Sequence, residues 1–200
     1  MKRPLINKQP EIIVFAGPNG SGKSTFTQKL LPSDIAYINA DEIKKELQCT
    51  DMEAAQKAEK QRESLLSRRE SFAFETVLST DRNLNLLQRA KKPGYFIRCY
   101  YILTSDPNIN IYRVQKRVSL GGHDVPKEKI ISRYNKALSL VKKLIPLCDI
   151  CHIYDNSAQE SFRIFKKRKE LYFYDECKDW AYADIFKLTR INGMQKKNLN

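Results

Sequence analysis

Short apolar runs alternating with helix-forming segments predict an α/β fold: a parallel sheet of about five strands with helices on both faces. Three observations carry this reading. Glu11-Ile12-Ile13-Val14-Phe15-Ala16 is an apolar run that ends at glycine, as a strand buried on both faces would. A glycine-rich loop and a helical segment follow it at once. Further apolar runs recur along the 200 residues, each separated from the next by a stretch of helix formers.

In order, a helix starts near Gly22 and stops at Pro32. Ala36–Asn39 is a second strand, with a helix over Asp41–Gln48. Asp51 to about Glu70 is rich in Ala, Gln, Lys, Glu and Leu without Gly or Pro, a long helix by propensity. Ser71–Glu75 is a third strand, and Asn83–Lys91 a helix ended by Pro93-Gly94. Tyr95–Leu103, rich in aromatics and Ile, is the longest strand. Helices over Ile109–Leu120 and Lys127–Leu144 flank Gly121-Gly122-His123-Asp124-Val125-Pro126, where glycines suit a helix end and proline a first turn. Asp149–Tyr154 is a fifth strand. Phe162–Phe165 and Glu170–Tyr174 can pair as a hairpin, ahead of a short helix over Cys177–Leu188. The expected organisation is an extension over 1–10, one domain over 11–190 and a polar, disordered tail over 191–200.

The formal charge is +13, from 36 basic and 23 acidic residues. Such an excess favours anionic partners. Nucleic acid is not the favoured one, because no aromatic-basic recognition module accompanies the charge. No stretch approaches the roughly 20 apolar residues of a membrane span, and no apolar run follows the basic start Met1–Asn7, so a cytoplasmic location and no membrane partner are expected. The cysteines at 49, 99, 148, 151 and 177 are odd in number, which argues against a disulfide framework. Cys148 and Cys151 have zinc-like spacing beside His152, but the segment Asp149–Tyr154 that holds Cys151 reads as a strand and no second ligand pair is visible; buried structural thiols are the reading.

Gly17-Pro18-Asn19-Gly20-Ser21-Gly22-Lys23-Ser24 matches G-x-x-x-x-G-K-[ST] at every position, with Thr25 behind it. Its glycines let backbone N–H groups turn toward phosphate oxygens, and the following helix adds its positive end. Lys23 is placed to reach the β- and γ-phosphates of ATP, and the Ser24 hydroxyl to ligate Mg²⁺. No N-K-x-D motif supports a GTPase, and Ser119-Leu120-Gly121-Gly122-His123 lacks the downstream Asp-Glu strand end of a transporter ATPase.

A small-molecule kinase needs a group to take the acceptor's proton and cations for the transferred phosphoryl. Asp41 stands after the second strand, at the strand end where parallel sheets bind ligands, or else it caps the helix behind it. Glu75 and Thr76 close the third strand. Arg113, Arg117 and Arg133 flank the Gly121-Gly122 turn, as a helical lid over about 113–133 would place them.

Together these pieces resemble the zeta-toxin family of P-loop kinases, in particular its short bacterial branch. The matching segments are Ala16–Thr25, Asn39-Ala40-Asp41, Ser71–Ser79, Gly94-Tyr95, Arg113–Arg117, Gly121–Pro126, Ser132-Arg133-Tyr134 and Tyr154–Ser157, in the family's order over about 11–157. The resemblance implies a P-loop kinase fold holding ATP and Mg²⁺, with Asp41 as catalytic base. It implies Glu75 and Thr76 on the substrate side, and Arg117 and Arg133 as the phosphate clamp, Arg113 being the weaker match. It also implies an acceptor such as a UDP-N-acetyl amino sugar and an antitoxin protein partner. The chain is shorter than the well-known toxins, so kinase chemistry transfers better than the acceptor. The alternatives are a polynucleotide or nucleoside kinase, suggested by the charge and by Arg163–Lys169, and an ATP-binding interaction protein without phosphoryl transfer.

Overall fold

A computed structural model describes residues 9–200, so all but Gln9 and Pro10 of the expected extension lies outside the described residues. The strands are β1 (Glu11–Ala16), β2 (Ala36–Ile38), β3 (Phe72–Thr76), β4 (Phe96–Leu103), β5 (Ile150–Asp155), β6 (Phe162–Arg168), β7 (Leu171–Tyr174) and β8 (Gln195–Lys196). The helices are α1 (Lys23–Leu30), α2 (Ala40–Leu47), α3 (Asp51–Ser67), α4 (Arg82–Lys91), α5 (Pro107–Ser119), α6 (Lys127–Leu147) and α7 (Tyr182–Thr189).

All eight strands form one sheet in the order β2-β3-β1-β4-β5-β6-β7-β8. The five expected strands are its parallel part. The hairpin extends it, with β6 antiparallel to β5 and β7 antiparallel to β6. β1 and β4 sit centrally, and Val14 pairs with Phe74 on one side and Cys99 on the other. That position explains why their side chains are apolar on both faces.

Helices lie on both sides of the sheet, unequally. On one side Ile12, Val14, Phe72, Phe74, Ile97 and Tyr101 pack under Leu65, Leu87, Val141, Leu144 and Ile185 of α3, α4, α6 and α7. On the other, Ile13, Phe15 and Ala73 meet Phe26 and Leu31, at α1 and its end, with Tyr37 and Tyr100. Cys99, Cys148 and Cys151 are all buried, and their sulfurs lie within 4.8 Å of one another. Cys148 Sγ donates to the Leu144 carbonyl at 3.4 Å.

Three boundaries depart from the sequence expectation. α6 runs a turn further, to Leu147, and carries Pro146 inside it; Leu144 and Ile145 at that end are fully buried, so packing outweighs the lost amide. α7 starts at Tyr182, because Cys177 and Trp180 pair as an isolated bridge ahead of it. The tail expected to be disordered is built into the sheet. β8 pairs with β7, Lys197 N donates to Tyr174 O, and Met194 and Leu199 are buried. Met194 and Leu199, five apart in a polar stretch, supply the anchor. No helix among the described residues is long and apolar enough to cross a membrane.

Candidate functional site

The loop between β1 and α1 is shaped by close backbone contacts. Gly17 has φ +144°, its amide donates to Thr76 O at 3.1 Å, and a Cβ there would stand 1.9 Å from the Ile102 carbonyl. No other residue fits without moving the sheet. Gly22, with φ +96°, faces Asn156, whose Nδ2 donates to Ser21 O at 2.8 Å. Asn110, fully buried on α5, donates to Asn19 O at 2.6 Å and accepts from the Thr104 hydroxyl. Two side chains from distant strand ends and helices therefore brace the loop from behind.

α1 begins at Lys23 with no side-chain cap and no acidic residue in its first turn. Its first amides are left for an external acceptor, and its positive end favours an anion. Lys23 Nζ folds back onto the Pro18 carbonyl at 2.9 Å. Burial pushes the Lys23 ammonium below its ordinary pKa; Glu75 and Asp41 oppose that shift and Arg117 adds to it.

In front of the loop opens a cavity of about 570 Å³. Asn19, Gly20, Gly22, Lys23, Ser24 and Thr25 line it on one side. Asp41, Glu75 and Thr76 line it from the strand ends, and Arg113, Arg117 and Arg133 from α5 and α6. Of the sequence-derived candidates, Gly17, Pro18 and Ser21 stand outside the lining, as the loop's supports.

Glu75 is the most connected side chain. Thr27 and the Tyr37 hydroxyl each donate to Oε1 at 2.8 Å, and Ser24 Oγ donates to Oε2 at 3.3 Å. Asn39 Nδ2 in turn reaches the Tyr37 oxygen at 3.0 Å. Burial, and then Glu75, push the Tyr37 phenol pKa up, so it stays a donor. Thr76 Oγ1 accepts from Leu78 N and Asn83 Nδ2, which points it into the turn after β3.

The cap of α2 is Asn39, whose Oδ1 accepts from Asp41 N at 2.9 Å. The capping alternative for Asp41 is thereby corrected. Two residues beyond the cap, Asp41 lines the cavity with no capping task.

The arginines of α5 and α6 are held differently. Arg113 Nη2 donates to Ser157 O at 3.3 Å, while its buried Nη1 has no partner among the described residues. Arg117 Nη2 donates to His123 O at 2.6 Å, and the Gly122 amide closes onto Arg117 O at 2.9 Å. Glycine is needed there, since a Cβ on Gly122 would meet the Arg117 stem at 2.5 Å. Ile111, Val114, Val125 and Ile130 form a small separate core that ties α5 and α6 together.

Asp51, Ala54, His123 and Val125 also line the cavity. Asp51, Tyr37 and Asn110 carry no motif that would single them out as site residues, and Asn156 stands in the matching segment Tyr154–Ser157 with no role read from it. The only sequence signal is a polar residue set among apolar ones, as in Ile109-Asn110-Ile111.

These residues fit a nucleoside triphosphate and its cation. The helix end is uncapped, cations converge from three elements, and the buried Ser21 hydroxyl and Arg113 Nη1 lack partners.

The sequence model described as Zeta toxin matches residues 2–176. An uncharacterised protein of Haemophilus influenzae is 27% identical over 139 residues, which is 67% of this chain and 99% of its own. A structure from the PezAT chromosomal toxin-antitoxin system of Streptococcus pneumoniae is similar with TM-score 0.55 and 23% identity, over 77% of this chain and 71% of that one. The AvrRxo1-ORF1:ORF2 complex with ATP is similar with TM-score 0.71 and 16% identity, over 90% of this chain and 64% of that one. At such identities the structural likeness speaks for the fold.

Proposed function

The chain belongs to the zeta toxin family, and from that premise we propose that it is an ATP-dependent kinase that phosphorylates a hydroxyl of a small molecule. The observation that carries this reading is the convergence of Lys23, Ser24, Asp41, Glu75, Arg117 and Arg133 on one cavity.

Bound ATP-Mg²⁺ would supply the γ-phosphoryl group and part of the charge neutralisation. Gly17–Thr25 would cradle the phosphates, with Lys23 turning from Pro18 O onto them and Ser24 holding the cation. Glu75 fixes the Ser24 hydroxyl and the strand end beside it, and Thr76 bounds the acceptor's side of the site. Asp41, free of capping, accepts the proton of the attacking hydroxyl. Arg117 and Arg133 meet the charge on the transferred group from the lid, and Arg113 supports the nucleotide. The working unit is a single kinase domain from residue 11 through the β8 edge, with a lid at about 113–133.

The acceptor we favour is a nucleotide sugar of the UDP-N-acetyl amino sugar type, by family. An antitoxin partner is supported by the toxin-antitoxin system from which one structural relative comes.

The test is transfer from γ-labelled ATP to a panel of nucleotide sugars, nucleosides and oligonucleotides, with Lys23→Ala as the blank. Labelled nucleotide sugar is the expected product. Labelled oligonucleotide 5′ ends would replace this reading with a polynucleotide kinase. Normal ATP binding with no labelled acceptor would leave an ATP-dependent interaction protein.

A further inference from the structure

From β5 to β8 the sheet has a face that no helix among the described residues covers. Strand alternation puts Ile153 and Phe165 on the core side, and the register partners His152 with Lys166 and Tyr154 with Arg163 on the other. Phe173 continues this row beside Lys166, and Gln195 beside Phe173. α1 is the helix on this side, and its reach ends where Phe26 meets the Tyr154 ring at 5.0 Å.

Two properties coincide on this face. The first is unbalanced positive charge. Arg98 pairs with Glu11 at 2.7 Å, but Arg163, Lys166, Arg168 and Lys197 have no salt bridge among the described residues. Burial pushes the Lys166 ammonium down, and Arg163, Lys197 and Arg168 push it further, so these cations repel one another. Arg163 Nε is buried and without a hydrogen-bond partner. A merely solvated basic face would spread its charges apart and leave no guanidinium nitrogen buried and unpaired.

The second property is a row of rings. The row starts under α1, where the buried Phe15 stacks on Tyr100 at 5.4 Å, and it emerges onto this face as Tyr100 stacks on His152 at 5.5 Å and His152 on Tyr154 at 6.2 Å. Arg163 lies over the Tyr154 ring at 5.9 Å and Lys197 over Phe173 at 5.2 Å. Single strands are held by this combination, since cations track the phosphates while rings and guanidinium planes stack the bases. An acidic protein would use the charge and leave the rings idle. A duplex would hide its bases from a flat face.

We propose that the uncovered β5–β8 face binds single-stranded nucleic acid, with Arg163, Lys166, Arg168 and Lys197 on the phosphates and Tyr154 and Phe173 against the bases. It is a binding surface apart from the phosphate cavity and does not rest on the kinase reading.

The experiment is a titration of fluorescein-labelled oligouridylate with the full-length chain, over a salt series and with excess ATP. Binding should survive ATP and weaken with salt at a slope of about −3 for four phosphate contacts. Lys166→Glu with Arg168→Glu should weaken it at least about tenfold without lowering the melting temperature, because reversal relieves the cation repulsion. Phe173→Leu should cost about fivefold or more with the salt slope unchanged. Absent binding, competition by ATP or indifference to the charge reversal would overturn the proposal. Equal competition by an abasic strand or by polyglutamate would overturn it too, the latter assigning the face to an acidic protein. Because binding is read and not turnover, a chain without kinase activity still gives an answer.

Discussion

The two halves of the sheet do different work with the same pleat. In the parallel strands β2-β3-β1-β4 both faces are mostly apolar, the Arg98–Glu11 pair apart, and the polar side chains that line the cavity gather at or just after their carboxyl ends. In the half formed by β6, β7 and β8, one face is buried and the other carries charge along its length. A parallel strand must be covered on both sides, so chemistry is left to its end. The extension, antiparallel from β5 through β7 with the two-residue β8 added parallel at its edge, is covered on one side only, so its outer face is available. The comparison makes a division of labour that variants can test.

The largest effect is expected at a strand end. Asp41→Asn keeps the shape and removes the base, so single-turnover transfer should fall about 10²–10⁴-fold while ATP affinity by titration barely changes. Because Asn39 caps α2, stability should also hold. Near-native transfer would end the catalytic role, and lost ATP binding would move Asp41 to the cation.

Next come the lid arginines. Arg117→Ala and Arg133→Ala should each cost about 10²–10³-fold in rate, and the double variant little more than the worse single one. Fully additive losses would mean that they serve separate steps.

In the antiparallel half the effects should appear in stability. Removing residues 192–200 exposes what Met194 and Leu199 cover and unpairs β7 from β8. A loss of about 3 kcal/mol by urea unfolding is expected, from two buried apolar side chains. An unchanged midpoint would mean that this edge contributes nothing.

The smallest effect concerns His152, on the border between the halves. Burial, followed by Arg163, Lys166 and Arg98, lowers its pKa to about 4. The unfolded chain, with an ordinary histidine, then binds the proton more readily than the folded one. Stability should fall as pH drops from about 6.5 toward about 4, by at most about 3 kcal/mol from this group. His152→Gln should flatten that part of the urea-midpoint profile; an unaltered profile would place the acid sensitivity elsewhere.

The same division governs what could be read in advance. β1, the glycine loop and α1 are legible because their interactions run between near neighbours: an apolar run, glycines with φ above zero, a helix start. The lid glycines next to Arg117 are legible for that reason too. Asn110, and the bracing role of Asn156, were not, since each finds its partner in the loop across 91 and 135 residues. Tyr37 reads as an ordinary strand residue until Glu75 arrives beside it. The tail looked unstructured because β8 has just two residues, and its stability comes from β7 and from the pocket that takes Leu199.

By itself the sequence determined the fold class, the phosphate loop, the family and the identity of the side chains at the strand ends, all properties of local pattern. Tertiary structure decided that Asn39, not Asp41, caps α2, and that Arg113, Arg117 and Arg133 share one cavity with Lys23. It also assembled the basic, aromatic face from β4 to β8, whose members no window of sequence brings together. The physical reason is separation: propensity, capping and glycine geometry act over a few residues. Cavity lining, charge repulsion and ring stacking exist only once strands distant in sequence lie side by side.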